Sequence, residues 1–168
     1  MSHEGHTSSY DRLAGTRSLK EILEIATEFE RTARDFYAGL APKVSKRIRY
    51  IVEELAAEEQ AHFDLFNGLA ERADLADHIN DRIKTPASDH RFSDAIHLPE
   101  LGDNPDDQAV LQYAMGREHA AMEQYGALAD AVEHEELSAM FRFLAKEETA
   151  HKRELEARYY EIVHSGGV

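Results

Sequence analysis

Cysteine is absent from the 168 residues. That absence excludes disulfides, thiolate zinc sites, cysteine-bound iron–sulfur clusters and any thiol nucleophile. A reducing cytoplasm is the compartment that fits. Basic charge is scarce as well: 19 Lys and Arg against 33 Asp and Glu give a formal net charge of −14. Nucleic-acid affinity rests largely on lysine and arginine neutralising phosphates, so a phosphate-backbone binder is not expected, whereas metal cations suit such a chain. Apolar runs of the roughly 18 residues that span a bilayer are also missing, and the opening MSHEGHTSSYDRLAGTRS lacks the apolar stretch of a signal peptide. The expectation is a soluble cytoplasmic domain of ordinary size with one core and neither a membrane nor a nucleic acid as partner.

What the chain has in abundance is helical period. Residues 1–17 read as a flexible tail, and Ser18 with Glu21 has the spacing of a capping box, which predicts a helix start. Leu19, Leu23, Ala26, Glu30, Ala33, Tyr37 and Leu40 then alternate in steps of four and three, and a turn follows at GLAP. A second helix is expected from near Lys43, with Ile48, Val52, Leu55, Glu59, His62, Phe66 and Leu69 on its stripe and the basic run PKVSKRIRY on its exposed face. From about residue 73 to 104 the pattern weakens among Pro86, Pro99 and Pro105, which predicts a long crossover.

Asn104 and Pro105 look like the N-cap and first residue of a third helix, whose stripe is Leu111, Ala114, Glu118, Ala121, Tyr125, Leu128 and Val132. After a break around VEHEE comes a fourth: Leu137, Phe141, Leu144, Glu148, His151 and Leu155, before a fraying tail at 164–168. LAAEEQAH at Leu55–His62 is nearly repeated as LAKEETAH at Leu144–His151, and helices one and three share Ala26/Ala114, Glu30/Glu118, Ala33/Ala121 and Tyr37/Tyr125 at one constant offset. The chain is therefore a duplicated helical hairpin. The predicted fold is all-α, a four-helix bundle over 18–163 with helices two and three parallel across the crossover.

Glu30, Glu59, His62, Glu118, Glu148 and His151 all stand where leucine belongs. A buried charged carboxylate costs many kcal/mol unless paired, and with no lysine or arginine on the stripes no side-chain cation is expected to pair it. Two divalent ions would balance four carboxylates, and glutamate with neutral imidazole suits iron or manganese, with zinc left open. The i, i+3 spacing puts Glu59 and His62, and likewise Glu148 and His151, on one helix face, so one member can bridge while the other serves a single ion.

Two lone helical glutamates with two Glu-x-x-His motifs resemble the ferritin-like carboxylate di-iron superfamily, and EFERTARDFY with EEQAH is most similar to rubrerythrin over about Leu19–Leu69 and Leu111–Leu155. The resemblance implies two iron ions per chain, with Glu59 and Glu148 bridging, Glu30 and Glu118 terminal, and His62 and His151 as nitrogen ligands. It places Tyr37 and Tyr125 beside the ions as hydrogen-bond donors or electron relays with a catalytic part. Many rubrerythrins carry a further carboxylate where this chain has Ala121, and without it the ligand set is closer to that of bacterioferritin.

The resemblance implies a di-iron oxidoreductase that reduces hydrogen peroxide or dioxygen. Electrons would come from a donor protein or from substrate iron, since no cysteine is present to build a rubredoxin centre. A homodimer or larger homo-oligomer is expected, with exchange of hairpins between subunits left open. The alternatives are a ferroxidase of bacterioferritin type and a non-catalytic metal-binding bundle. His3, His6, His78, His90, His97, His134 and His164 fall in tails, breaks or the crossover and are expected to be exposed, and His119, turned off the stripe by about 100°, is expected to pack or meet solvent.

Overall fold

The computed structural model describes residues 16–84 and 101–165. His3, His6, His90, His97 and the prolines at 86 and 99 lie outside them, as do nearly all of the N-terminal tail and the middle of the crossover. Strand β1, Thr16–Ser18, leads directly into helix α1, Leu19–Leu40. The Ser18 hydroxyl oxygen accepts the Glu21 N–H at 3.2 Å and the hydroxyl donates to Glu21 Oε1 at 3.1 Å, which satisfies one of the donors a helix start leaves open. Two more go to the crossover: Leu19 N–H donates to the Asp81 carbonyl at 3.0 Å and Lys20 N–H to that of Ile79 at 2.9 Å.

Helix α2 spans Arg49–Ala70, so it begins later than the periodicity suggests. Val44 and Ile48 are buried from a turn rather than from a helix, and a short turn that buries a residue every fourth position imitates helical period. The basic run is accordingly mostly a turn. Arg49 braces it by donating to the carbonyls of Ala41 at 3.1 Å and Val44 at 3.0 Å, a cation placed where the α1 carbonyls end.

Beyond α2 a 3₁₀ turn, Ala73–His78, leads to strand β2, Arg82–Lys84. It pairs antiparallel with β1 in the register Thr16↔Lys84, Arg17↔Ile83 and Ser18↔Arg82. Helix α3 spans Asp107–Ala131, with Asp106 rather than Asn104 at its N-cap. Pro105 is buried and precedes the helix instead of opening it. Helix α4 spans Glu135–Ser165; His134, half-buried rather than exposed, accepts the Leu137 N–H on Nδ1 at 3.3 Å.

The four helices form one all-α bundle of two hairpins, and every residue of the four expected stripes is buried except His151, which is nearly so. Two apolar clusters result. One holds Leu19, Phe29, Phe66, Tyr125, Phe141 and Leu144, and the other Tyr37, Val52, Leu55, Leu111 and Leu155. Along each helix the glutamates and histidines lie between them. Among the described residues no helix is long and apolar enough to cross a membrane.

Phe66 and Phe141 are fully buried, with ring centroids 6.4 Å apart. Phe66→Ala should destabilise the protein by about 3–5 kcal/mol. Phe143→Ala, at a ring 54% exposed, should change little. Urea unfolding of the two variants checks both, and equal effects would contradict this account of the core.

Candidate metal centre

The four helices bring all six expected ligands into one layer. Glu30, Glu59, Glu118 and Glu148 are wholly buried, and the side chains of His62 and His151 are nearly so. Ligand atoms of Glu30, Glu59, His62 and Glu148 lie within 4.8 Å of one another, as do those of Glu118, Glu148 and His151. Glu148 is common to both groups. Around His62 Nδ1 the carboxylate oxygens stand at 3.1 Å (Glu148 Oε1), 3.5 Å (Glu59 Oε2) and 3.7 Å (Glu30 Oε2).

Several of these atoms have no hydrogen-bond partner although buried: His62 Nδ1, His151 Nδ1, Glu118 Oε2 and both oxygens of Glu148. The 3.1 Å contact between His62 and Glu148 lacks hydrogen-bond geometry. Orphaned buried polar atoms are rare in native proteins and call for an explanation. Here they are nitrogen and carboxylate donors converging on common points, which is the donor set of a divalent transition metal. The residues present therefore fit a metal pair.

The histidines are aimed inward by two residues that the sequence analysis overlooks. His62 Nε2 is 2.8 Å from Glu147, and His151 Nε2 is 2.7 Å from Glu58. Each contact crosses from one hairpin to the other. Holding Nε2–H on a carboxylate turns Nδ1 toward the cluster as the nitrogen a metal ion would bind, and raises its basicity. The signal was in the octets: both write Glu-Glu, and the first glutamate of each copy serves the histidine of the other.

The expectation that no side-chain cation pairs the carboxylates is wrong. Arg117 is buried, and its guanidinium donates from Nη1 to Glu59 Oε1 at 2.9 Å and Glu118 Oε1 at 3.4 Å, and from Nη2 to Glu30 Oε2 at 3.3 Å. It is one step off the Glu118 stripe, yet Val110, Ala114, Arg117 and Ala121 themselves follow the alternation of four and three. The buried face of α3 is two residues wide, and a long side chain reaches inward from its edge. His119 meets Glu123 instead, Nε2 to Oε1 at 2.8 Å, away from the cluster.

Electrostatics follow from this crowding. Burial and the charge of Glu59 push the Glu30 carboxyl up to about 7. Burial, then the charges of Glu118 and Glu59, raise Glu148 well above the carboxylate range. For His151, burial favours the neutral ring but is outweighed by the nearby carboxylates of Glu118 and Glu58, so it is pushed up to about 10. His62 is raised in the same way, burial being overcome by Glu148, Glu30 and Glu59. Burial opposes the charge of Arg117 too, but Glu59, Glu30 and Glu118 keep it a cation.

The two tyrosines are fully buried but not equivalent. Tyr125 donates a short hydrogen bond to Glu30 Oε1. The Tyr37 hydroxyl has no hydrogen-bond partner among the described residues. Burial raises both phenols well above their usual range, helped by the charge of Glu118 at Tyr37 and of Glu30 at Tyr125, so both keep their protons at neutral pH.

A family model described as Rubrerythrin matches residues 21–159. The chain is also similar to a solved hypothetical protein from Pyrococcus furiosus, at 28% identity over 88% of this chain and 91% of that one, with a TM-score of 0.66. The curated proteins offer no match.

Groups with raised pKa hold protons that a metal ion must displace. Loading the metal-free protein with Mn(II) near pH ~7 should release at least about one proton per chain, and apparent affinity should climb as pH rises from ~6 to ~8 and Glu30, at about 7, loses its proton unaided. A dye in weakly buffered solution reads the release; uptake without acidification would contradict the cluster as described.

Proposed function

This chain belongs to the rubrerythrin family, and on that premise we propose that its buried cluster is a di-iron centre that reduces hydrogen peroxide. One observation carries the reading: the nitrogen and oxygen atoms of a duplicated Glu-x-x-His motif converge in the core with no protein partner to satisfy them. Glu30, Glu59, His62, Glu118, Glu148 and His151 are the ligands in this reading, with Glu148 the bridging carboxylate shared by both positions and Glu59 its counterpart. Residues 18–163 make up the functional domain.

These residues would hold two iron ions, which when bound would supply the two electrons that, with two protons, reduce hydrogen peroxide to two waters. The chain's own residues position and protonate. Glu58 and Glu147 hold the imidazoles with Nδ1 inward. Tyr125 Oη–H holds Glu30 in place. Tyr37 Oη keeps a proton that no protein acceptor claims, which suits it to donate to an oxygen product. The two apolar clusters that flank the layer keep bulk water from it. Electrons return from a partner protein, since this chain carries no cysteine-bound redox centre.

Ala121, fully buried, favours a second reading, because the carboxylate many rubrerythrins use there is replaced by a methyl group. A centre restricted to six ligands suits a ferroxidase that oxidises incoming ferrous iron with dioxygen.

Reconstituted protein should bind two metal ions per chain by elemental analysis. Glu148→Ala should lose both, whereas His151→Ala should mainly weaken one; saturation of the unaltered chain at fewer than two ions would defeat the dinuclear reading. In stopped flow, the diferrous protein should be oxidised at least tenfold faster by peroxide than by dioxygen, about 1.4 kcal/mol in barrier. Equal rates, or faster oxidation by dioxygen in a cage-sized particle, would establish the ferroxidase instead.

A further inference from the structure

Arg117 has no part in that reading, and it breaks the internal repeat. Under the offset that relates Glu30 to Glu118 and Tyr37 to Tyr125, its counterpart is Phe29. The two side chains meet in the core, with the guanidinium carbon 4.1 Å from the Phe29 ring centroid. One hairpin thus contributes a ring at this place and the other a cation.

The cation does not touch the two candidate metal positions equally. At the first, Glu30 Oε2, Glu59 Oε2 and Glu148 Oε1 surround His62 Nδ1, and the guanidinium binds two of its residues, from Nη2 to Glu30 Oε2 and Glu59 Oε2 at 3.3 and 3.4 Å and from Nη1 to Glu59 Oε1 at 2.9 Å. The second has three close donors, Glu118, Glu148 and His151. Of these three the guanidinium reaches Glu118, from Nη1 to Oε1 at 3.4 Å.

We propose that Arg117 is a built-in competitor for the second cation. Its guanidinium holds Glu30, Glu59 and Glu118, so a first ion binds beside the arginine and the second, which must displace it, binds more weakly. The inference rests on the dinuclear reading above. The displacement breaks hydrogen bonds to charged acceptors and a stacked contact on Phe29. Charge acts in the same direction: with neutral imidazoles, four carboxylates, the guanidinium and one dication leave one negative charge. A second dication must turn that into a positive one. The arginine also explains how so acidic a core stays folded before any metal arrives.

Mn(II) titration by calorimetry tests this on the whole chain, comparing the unaltered protein with Arg117→Met and Arg117→Lys. The unaltered protein should show two steps separated at least tenfold in Kd. Arg117→Met should tighten the second step at least tenfold and lower the melting temperature of the metal-free protein, while Arg117→Lys, which keeps the charge, should retain most of the gap. If Arg117→Met folds only with metal, refolding it in Mn(II) and withdrawing the ions with EDTA gives the same order from release. An unchanged gap in Arg117→Met, equal weakening of both steps, or equal behaviour of the Met and Lys variants would overturn the proposal. Two equal sites in the unaltered protein would overturn it while leaving the dinuclear reading intact; no Mn(II) at all would remove both.

Discussion

Four carboxylates buried in the middle of a helical bundle are the constraint to which the rest of this structure answers. Charge of one sign cannot be packed like leucine. It must be met by opposite charge, by protons or by hydrogen bonds from groups that can themselves be spared. The bundle uses all three. Arg117 faces Glu30, Glu59 and Glu118, raised pKa values hold protons on Glu30 and Glu148, and Tyr125 donates to Glu30. Even so, several donor atoms remain unsatisfied. Confining the polar layer between two apolar clusters lets ordinary packing hold the helices at the spacing that the layer needs.

Hydrophobic period made most of this legible. Once a stripe of apolar residues is drawn, a glutamate or histidine on it stands out because burial of such a group is expensive, and the duplication shows that its position is no accident. A stripe is only a line along one helix, however. Arg117 lies beside it, and only the width of the buried α3 face, set by packing against the other hairpin, reveals that a residue one step away also points inward. Glu58 and Glu147 lie at the margin for the same reason. Their partners are on another helix, so the doubled glutamate of each octet does not by itself say which histidine it serves.

Helix starts were less legible than helix faces. Near Lys43 the turn buries Val44 and Ile48, which extends the apparent stripe of α2 toward its N-terminus. Ahead of α3, Asn-Pro has the form of a helix start, but the extended Asp106 defers it to Asp107. Both errors arise where tertiary packing buries residues outside a helix. The β1–β2 pairing left no trace in period at all, since three residues on each side are too few to show alternation.

The contacts Glu58–His151 and Glu147–His62 are reciprocal: what the first hairpin does for the second, the second does for the first. That is the signature of an isologous interface, the kind a twofold homodimer of one hairpin would form. The Phe29–Arg117 contact cannot belong to such a dimer. Identical subunits would present two arginines to the cluster or none, and a ring would never face a guanidinium across the axis. Joining the hairpins into one polypeptide frees each half to mutate alone, so a single cation can sit on one side of an otherwise matched centre. Covalent linkage, in this molecule, is what makes a difference between two equivalent places heritable.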